Sequence, residues 1–150
     1  MHLKLSSLAE AAEAVARLRG APNARLKGGE WPLARVLNHC ALSLDCSRTG
    51  FPVMKPVLVR RTVGPLVLRI FLARGRMRHD HLAAIPGDLD GLKDSDPAKA
   101  VDRLLRSIAD FQAHKGTLAE HFVYGRLTKD QGDRIQAMHI ADHLSALEID

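Results

Sequence analysis

Apolar residues at helical spacing constrain this chain more than any other feature. Val101, Leu104, Leu105, Ile108 and Phe111, with Gln112 beside them, recur at intervals of three and four. That period lines one face of an α-helix and does not suit a strand. It returns in Leu8, Ala12, Val15 and Leu18, in Leu33, Val36, Leu37, Cys40 and Leu44, and in Ile135, Met138, Leu144 and Leu147. Aromatic residues make up only 4% of the chain against 46% hydrophobic residues overall. The core must therefore be built from aliphatic side chains, which favours helices over a sheet sandwich.

Boundary signals agree with this period. Ser6 or Ser7 can cap a first helix running to about Arg19, with Glu10 placed as a capping-box partner for Ser7. Gly20 and Pro22 end it, and Gly28-Gly29-Glu30 reads as a loop. Pro32 suits the first turn of a second helix reaching about Ser47. Asp96-Pro97 can start another helix, which Gly116 interrupts, and Tyr124-Gly125-Arg126-Leu127 reads as a turn. Thr128 caps a last helix from about Lys129 to Ala146. Residues 53–74 fit either two short strands around Gly64-Pro65 or a helix kinked there. The helix is favoured, because an isolated hairpin would have no sheet to join. Residues 75–97, rich in Gly, Pro and Asp, read as a long loop. The expectation is an all-α fold, a four-helix bundle with an additional short or kinked segment, forming a single domain over 1–150.

No run of 18 uncharged apolar residues occurs, so no membrane span is expected. The start, Met1-His2-Leu3-Lys4, runs into Glu10, Glu13 and Arg17 without the apolar core of a signal peptide. Cys40 and Cys46 fall on different faces of one helix, which disfavours a bridge between them. Unbridged thiols without a signal suggest a cytoplasmic setting. The net charge of +5 is concentrated. Residues 55–81 carry Lys55, Arg60, Arg61, Arg69, Arg74, Arg76 and Arg78 against Asp80 alone. This segment reads as a solvated face or as an anion-binding rim. It lacks the interleaved aromatics of a single-strand nucleic-acid surface, so nucleic acid is the weaker reading.

The residues with chemistry are histidines. His139 and His143 stand four apart, which on a helix places them one turn apart on one face. Two neutral imidazoles there can share a metal ion, or they can be boundary residues satisfied by hydrogen bonds. His39, at the border of the second helix's buried stripe, is the candidate third ligand. Asp142, adjacent to His143, is a candidate for orienting a ligand imidazole or a solvated carboxylate. His79-Asp80-His81 reads as a surface pair in a loop, and His114 as a solvent-facing residue near a helix end. His121 reads as a loop anchor or cleft liner, and His2 as mobile. Cys40 reads as a core residue, since no base is placed beside it.

His39 on the second helix and the His139/His143 pair on the last resemble the ligand pattern of the DinB superfamily. The stretch His121-Phe122-Val123-Tyr124-Gly125-Arg126-Leu127-Thr128, and the opening from Trp31 to His39, are similar to a branch of it described only as a domain of unknown function. The likeness covers most of the chain from Trp31 onward. The chain departs from the branch at Asp142, where a histidine is usual, and at Ser145-Ala146-Leu147, where the branch has Arg-Gln-Phe. The resemblance implies a bundle of the DinB type with His39, His139 and His143 around a divalent ion, Zn, Ni or Fe. It further implies a small-molecule substrate, a low-molecular-weight thiol as co-substrate, thiol transfer or a related hydrolysis, and a homodimer. A non-catalytic metal-binding or stress-response bundle is the alternative.

Overall fold

The structure is a computed structural model that describes residues 2–28, 30–87 and 96–149. Parts of two expected loops, Gly29 and residues 88–95, lie outside the described residues. The fold is all-α, with six α-helices and one small sheet among the described residues. In chain order these are α1 (Leu8–Arg17), β1 (Arg25–Leu26), α2 (Leu33–Thr49), α3 (Val57–Arg61), α4 (Val63–Arg74), α5 (Pro97–Ala113), α6 (Lys129–Ser145) and β2 (Leu147–Glu148).

The caps explain where the helices begin. Ser7 accepts the Glu10 N–H at 3.3 Å, but the Glu10 carboxylate reaches back to Ser6, not Ser7, taking the Ser6 N–H at 2.8 Å. At α5, Asp96 Oδ1 accepts the Ala98 N–H at 2.9 Å, with Pro97 opening the helix. At α6, Thr128 and Gln131 form a reciprocal capping box. Helix α5 stops at Ala113, ahead of Gly116.

Residues 53–74 are helical, as expected, but the break falls at Thr62 and not at Gly64-Pro65. Pro65 has no N–H for the Arg61 carbonyl, and its ring would crowd that carbonyl in a continuous helix. A proline is tolerated in a first turn, so α4 restarts just ahead of it. The sheet was not expected from the sequence. It is two residues deep, with Arg25 opposite Glu148 and Leu26 opposite Leu147, antiparallel.

Helices α1, α2, α5 and α6 supply the main core. Leu8 and Val15, Leu33, Leu37, Cys40 and Leu44, Leu104, Ile108 and Phe111, and Ile140 all meet there. Helix α4 packs on α6 through a smaller cluster of Leu68, Met77, Ile135 and Met138. Both cysteines are buried and unbridged. No helix among the described residues is long and apolar enough to cross a membrane.

Candidate metal centre

Helices α2 and α6 are locked side by side where the histidines stand. Ser43 donates from Oγ to Gln136 Oε1 at 3.1 Å, and Gln136 Nε2 donates to the Ser43 carbonyl at 3.4 Å. Ser43 is one turn beyond His39, and Gln136 is one turn before His139. The paired hydrogen bonds therefore fix the two helices at the level of both imidazoles. His39, 3% exposed, has its Nε2 3.2 Å from His139 Nε2. Trp31 holds the other side of the His39 ring, edge to face at 5.6 Å. His143, one turn after His139 and fully buried, has its ring centre 4.9 Å from those of both His39 and His139. The structure thus brings His39, His139 and His143 to one place.

A fourth imidazole joins them. After α4 the chain runs back across α6, with Met77 buried in the small cluster. Asp142 anchors this strap. Its Oδ2 accepts the His79 main-chain N–H at 3.1 Å, lies 2.7 Å from His79 Nδ1, and lies 3.0 Å from His81 Nε2. His79 Nε2 then sits 3.0 Å from His143 Nε2. The reading of His79 and His81 as surface residues is overturned: both rings are partly buried against Asp142. The reason is a long-range contact that no local pattern carries. The aspartate orients His79, from the strap, and not the neighbouring His143. His2 is tied down as well, its Nδ1 3.1 Å from Ser145 Oγ and its Nε2 3.7 Å from Asp142 Oδ1. His114 sits at the end of α5 with Nε2 3.2 Å from the Thr117 carbonyl oxygen.

His39, His79, His139 and His143 each offer a nitrogen, all four within 4.8 Å of one another, a group that could hold a metal ion. Metal–nitrogen bonds of roughly 2.0–2.1 Å place ligand nitrogens roughly 3.3–3.4 Å apart in a tetrahedron and roughly 2.8–3.0 Å apart across an octahedral edge. The observed 3.2 and 3.0 Å fall between these limits. The two donors on α6 are also in the required protonation state. Burial first, then the neighbouring imidazoles, push the pKa of His139 and of His143 well below the ordinary value. Both rings stay neutral, as metal ligation requires. Burial alone would raise the Asp142 carboxyl, but His79 and His81 outweigh it and hold the carboxyl below its usual range. Two buried nitrogens of the cluster, His79 Nδ1 and His143 Nδ1, make no hydrogen bond, the former having only its close approach to the Asp142 carboxylate.

Two cavities flank the strap. One, of about 430 Å³, is lined mainly by apolar side chains including Met77, Ile85, Phe122 and Ile135, and reaches His39, His79 and His139. The other, of about 790 Å³, is lined by Lys27, Arg74, Arg76 and Arg78 together with His79, His81 and Asp142. Three of the seven cations of the basic segment thus border the second cavity. Cys40, although adjacent to His39, is fully buried in the core, and burial pushes its thiol up, so it is no nucleophile.

An all-helical chain whose helices and strap gather four imidazoles defines the class: a helical protein with a histidine cluster able to hold a metal ion. The chain belongs to the family described as "Protein of unknown function (DUF1569)", whose model matches residues 1–149. No curated protein and no solved structure matches it significantly.

Proposed function

We propose that the chain is a metal-dependent enzyme of DinB-like type, in which His39, His139 and His143, joined by His79, hold a divalent Zn, Ni or Fe ion. The observation that carries this reading is the convergence of four imidazole nitrogens with no carboxylate among them. Such a donor set leaves the charge of the ion uncompensated, and an ion of that kind lowers the pKa of a bound water or thiol. The Asp142 carboxylate behind His79 and His81 supplies partial compensation from the far side of the ring. The order of the ligands, one on α2 and a pair on α6, supports the DinB resemblance.

The two cavities support a transfer between unlike partners. The arginine-lined one suits a small thiol that carries carboxylates, since guanidinium groups pair with carboxylates in a fixed fork. The apolar one suits the acceptor. His79, on the wall common to both, lines each of them. Metal analysis of protein purified without an affinity tag should find about one ion per chain, and His139→Ala with His143→Ala should lose it. Full retention of metal in the double variant would overturn the assigned site. Thiol-dependent consumption of a chromogenic electrophile should vanish with a chelator and return with one added metal.

One observation favours a second reading, a non-catalytic bundle. The 3.2 and 3.0 Å separations also suit N–H···N hydrogen bonds within the pairs His39/His139 and His79/His143. Metal-free protein that gains no stability from any divalent ion would support it.

A further inference from the structure

His121 opens the turn that walls the apolar cavity, and its ring is fixed on every side. Its main-chain N–H donates to the Gly125 carbonyl at 2.8 Å, and the return bond is 3.2 Å. Gly125 closes this turn at φ 77°, and a Cβ there would stand 2.6 Å from the Arg60 carbonyl oxygen. No other residue fits that backbone and that space. The imidazole stacks on Tyr124 at 4.4 Å and on Phe122 at 4.8 Å. Its Nδ1 accepts two main-chain hydrogen bonds, from Val123 N and Tyr124 N, each at 3.1 Å.

Those two bonds determine the tautomer. A nitrogen that accepts carries no proton, so in the neutral ring the proton is on Nε2. Burial keeps the ring neutral, with its pKa lowered to about 3. Among the described residues no group takes the Nε2–H, while His121, 7% exposed, lines the cavity. Among the other polar groups of the lining, burial pushes the Tyr124 phenol up to about 12, and Ser43 and Gln136 are bonded to each other. The charged side chains of the lining, Lys55 and Asp80, are exposed.

We propose that His121 is the fixed hydrogen-bond donor of this cavity and that its ligand is a small, largely apolar carbonyl compound. The carbonyl oxygen accepts from Nε2–H while the hydrocarbon part lies against Met77, Ile85, Phe122 and Ile135. In the metal-free protein a neutral donor in an apolar wall favours a neutral acceptor over an anion, because the one cation of the lining outside the histidine cluster, Lys55, is exposed to solvent. The inference rests on the metal-centre reading only for placing this ligand beside the reacting group; the donor itself needs no metal.

The test uses acetophenone and its isostere α-methylstyrene, in which a methylene replaces the carbonyl oxygen, on chelator-treated full-length protein. Shifts of the Ile85 and Ile135 methyl signals report binding. His121→Asn retains an acceptor where Nδ1 stood, so the turn keeps its anchor, but it loses the Nε2–H. Acetophenone affinity should fall about fivefold in this variant, the value of one hydrogen bond, with α-methylstyrene unchanged. Nitrogen NMR of the wild-type ring should show Nε2 protonated and Nδ1 unprotonated from pH 5 to 9, a readout that needs no variant. The proposal is overturned by an Nδ1-protonated ring, by equal weakening of both probes, or by the absence of any methyl shift. Because no metal is present, none of these results is confused with failure of the metal site.

Discussion

The Asp142 carboxylate holds His79 by both its main chain and its ring, Oδ2 lying 3.1 Å from the backbone N and 2.7 Å from Nδ1. One carboxylate, 3% exposed, thereby connects α6 to the strap that follows α4. Its two roles can be separated. Asp142→Ala leaves the His79 N–H without its partner and should cost about 1–3 kcal/mol in urea unfolding. On the metal reading it should also weaken metal binding about 10–100-fold in a chelator competition. Asp142→Asn retains an acceptor for the N–H but no charge. It should recover most of the stability and little of the metal affinity; equal recovery of both would contradict the two roles.

Acid should destabilise the metal-free protein early. In the unfolded chain each imidazole takes up a proton near its ordinary pKa of 6.5, whereas folded His121 does so only near 3. His139 and His143 are depressed in the same direction. Below pH 6.5 the unfolded state therefore binds more protons, and stability falls as pH falls. Each group contributes up to about 1.4 kcal/mol per pH unit once its unfolded form is fully protonated. Urea unfolding from pH 8 to 4.5 should be flat above about 7.5 and approach a slope of about three protons near pH 5. Asp142, held below its ordinary 3.8, adds its loss only at lower pH. His121→Asn should remove about one proton from the slope, and an unchanged slope would deny the buried neutral state of that ring.

The legible parts of this fold were those set by local rules. Thr128 at the α6 cap, Asp96-Pro97 at the start of α5 and the buried row Leu33, Val36, Leu37, Cys40 and Leu44 follow from capping chemistry and period alone. The four-residue spacing of His139 and His143, together with the DinB-like placing of His39 on the second helix, singled out these three, because helices transmit their register to the site. What stayed hidden depends on contacts between distant segments. The strap carrying His79 and His81 has no period, and its position is set by Asp142 on another element. The β1–β2 pair is only two residues deep, too short for any alternation to mark it. The break at Thr62 was misplaced because the effect of Pro65 acts four residues upstream of the proline itself.

Gly64 is where the wall of the apolar cavity meets α4. A Cβ on it would lie 1.8 Å from the Val123 carbonyl oxygen, a main-chain atom that cannot rotate away. Gly64→Ala must therefore push α4 off the turn of residues 121–125. The expected loss is about 1–3 kcal/mol, and small-ligand binding in the cavity should suffer with it. Gly20→Ala, where a Cβ would meet nothing within 4 Å, serves as the control and should change neither. A stable Gly64→Ala protein with native cavity shifts would show that this approach is looser than the structure has it.

His79 differs from the other three imidazoles in what carries it. His39, His139 and His143 project from helices locked by the Ser43–Gln136 bonds, whereas His79 sits on a strap and its side chain keeps 23% of its surface exposed. A ligand on a loop anchored through one carboxylate is the easiest of the four to displace. On the metal reading, His79→Ala should keep about one ion per chain with affinity lowered on the order of tenfold. His143→Ala should lower the affinity further, because only two of its three remaining imidazoles, His39 and His139, are borne by helices. Substituted cobalt offers a direct readout. Its visible bands should weaken and shift in His79→Ala as water replaces a protein nitrogen, and added imidazole should restore them. Bands identical to those of the unaltered protein would remove His79 from the ligand set while leaving the other three in place.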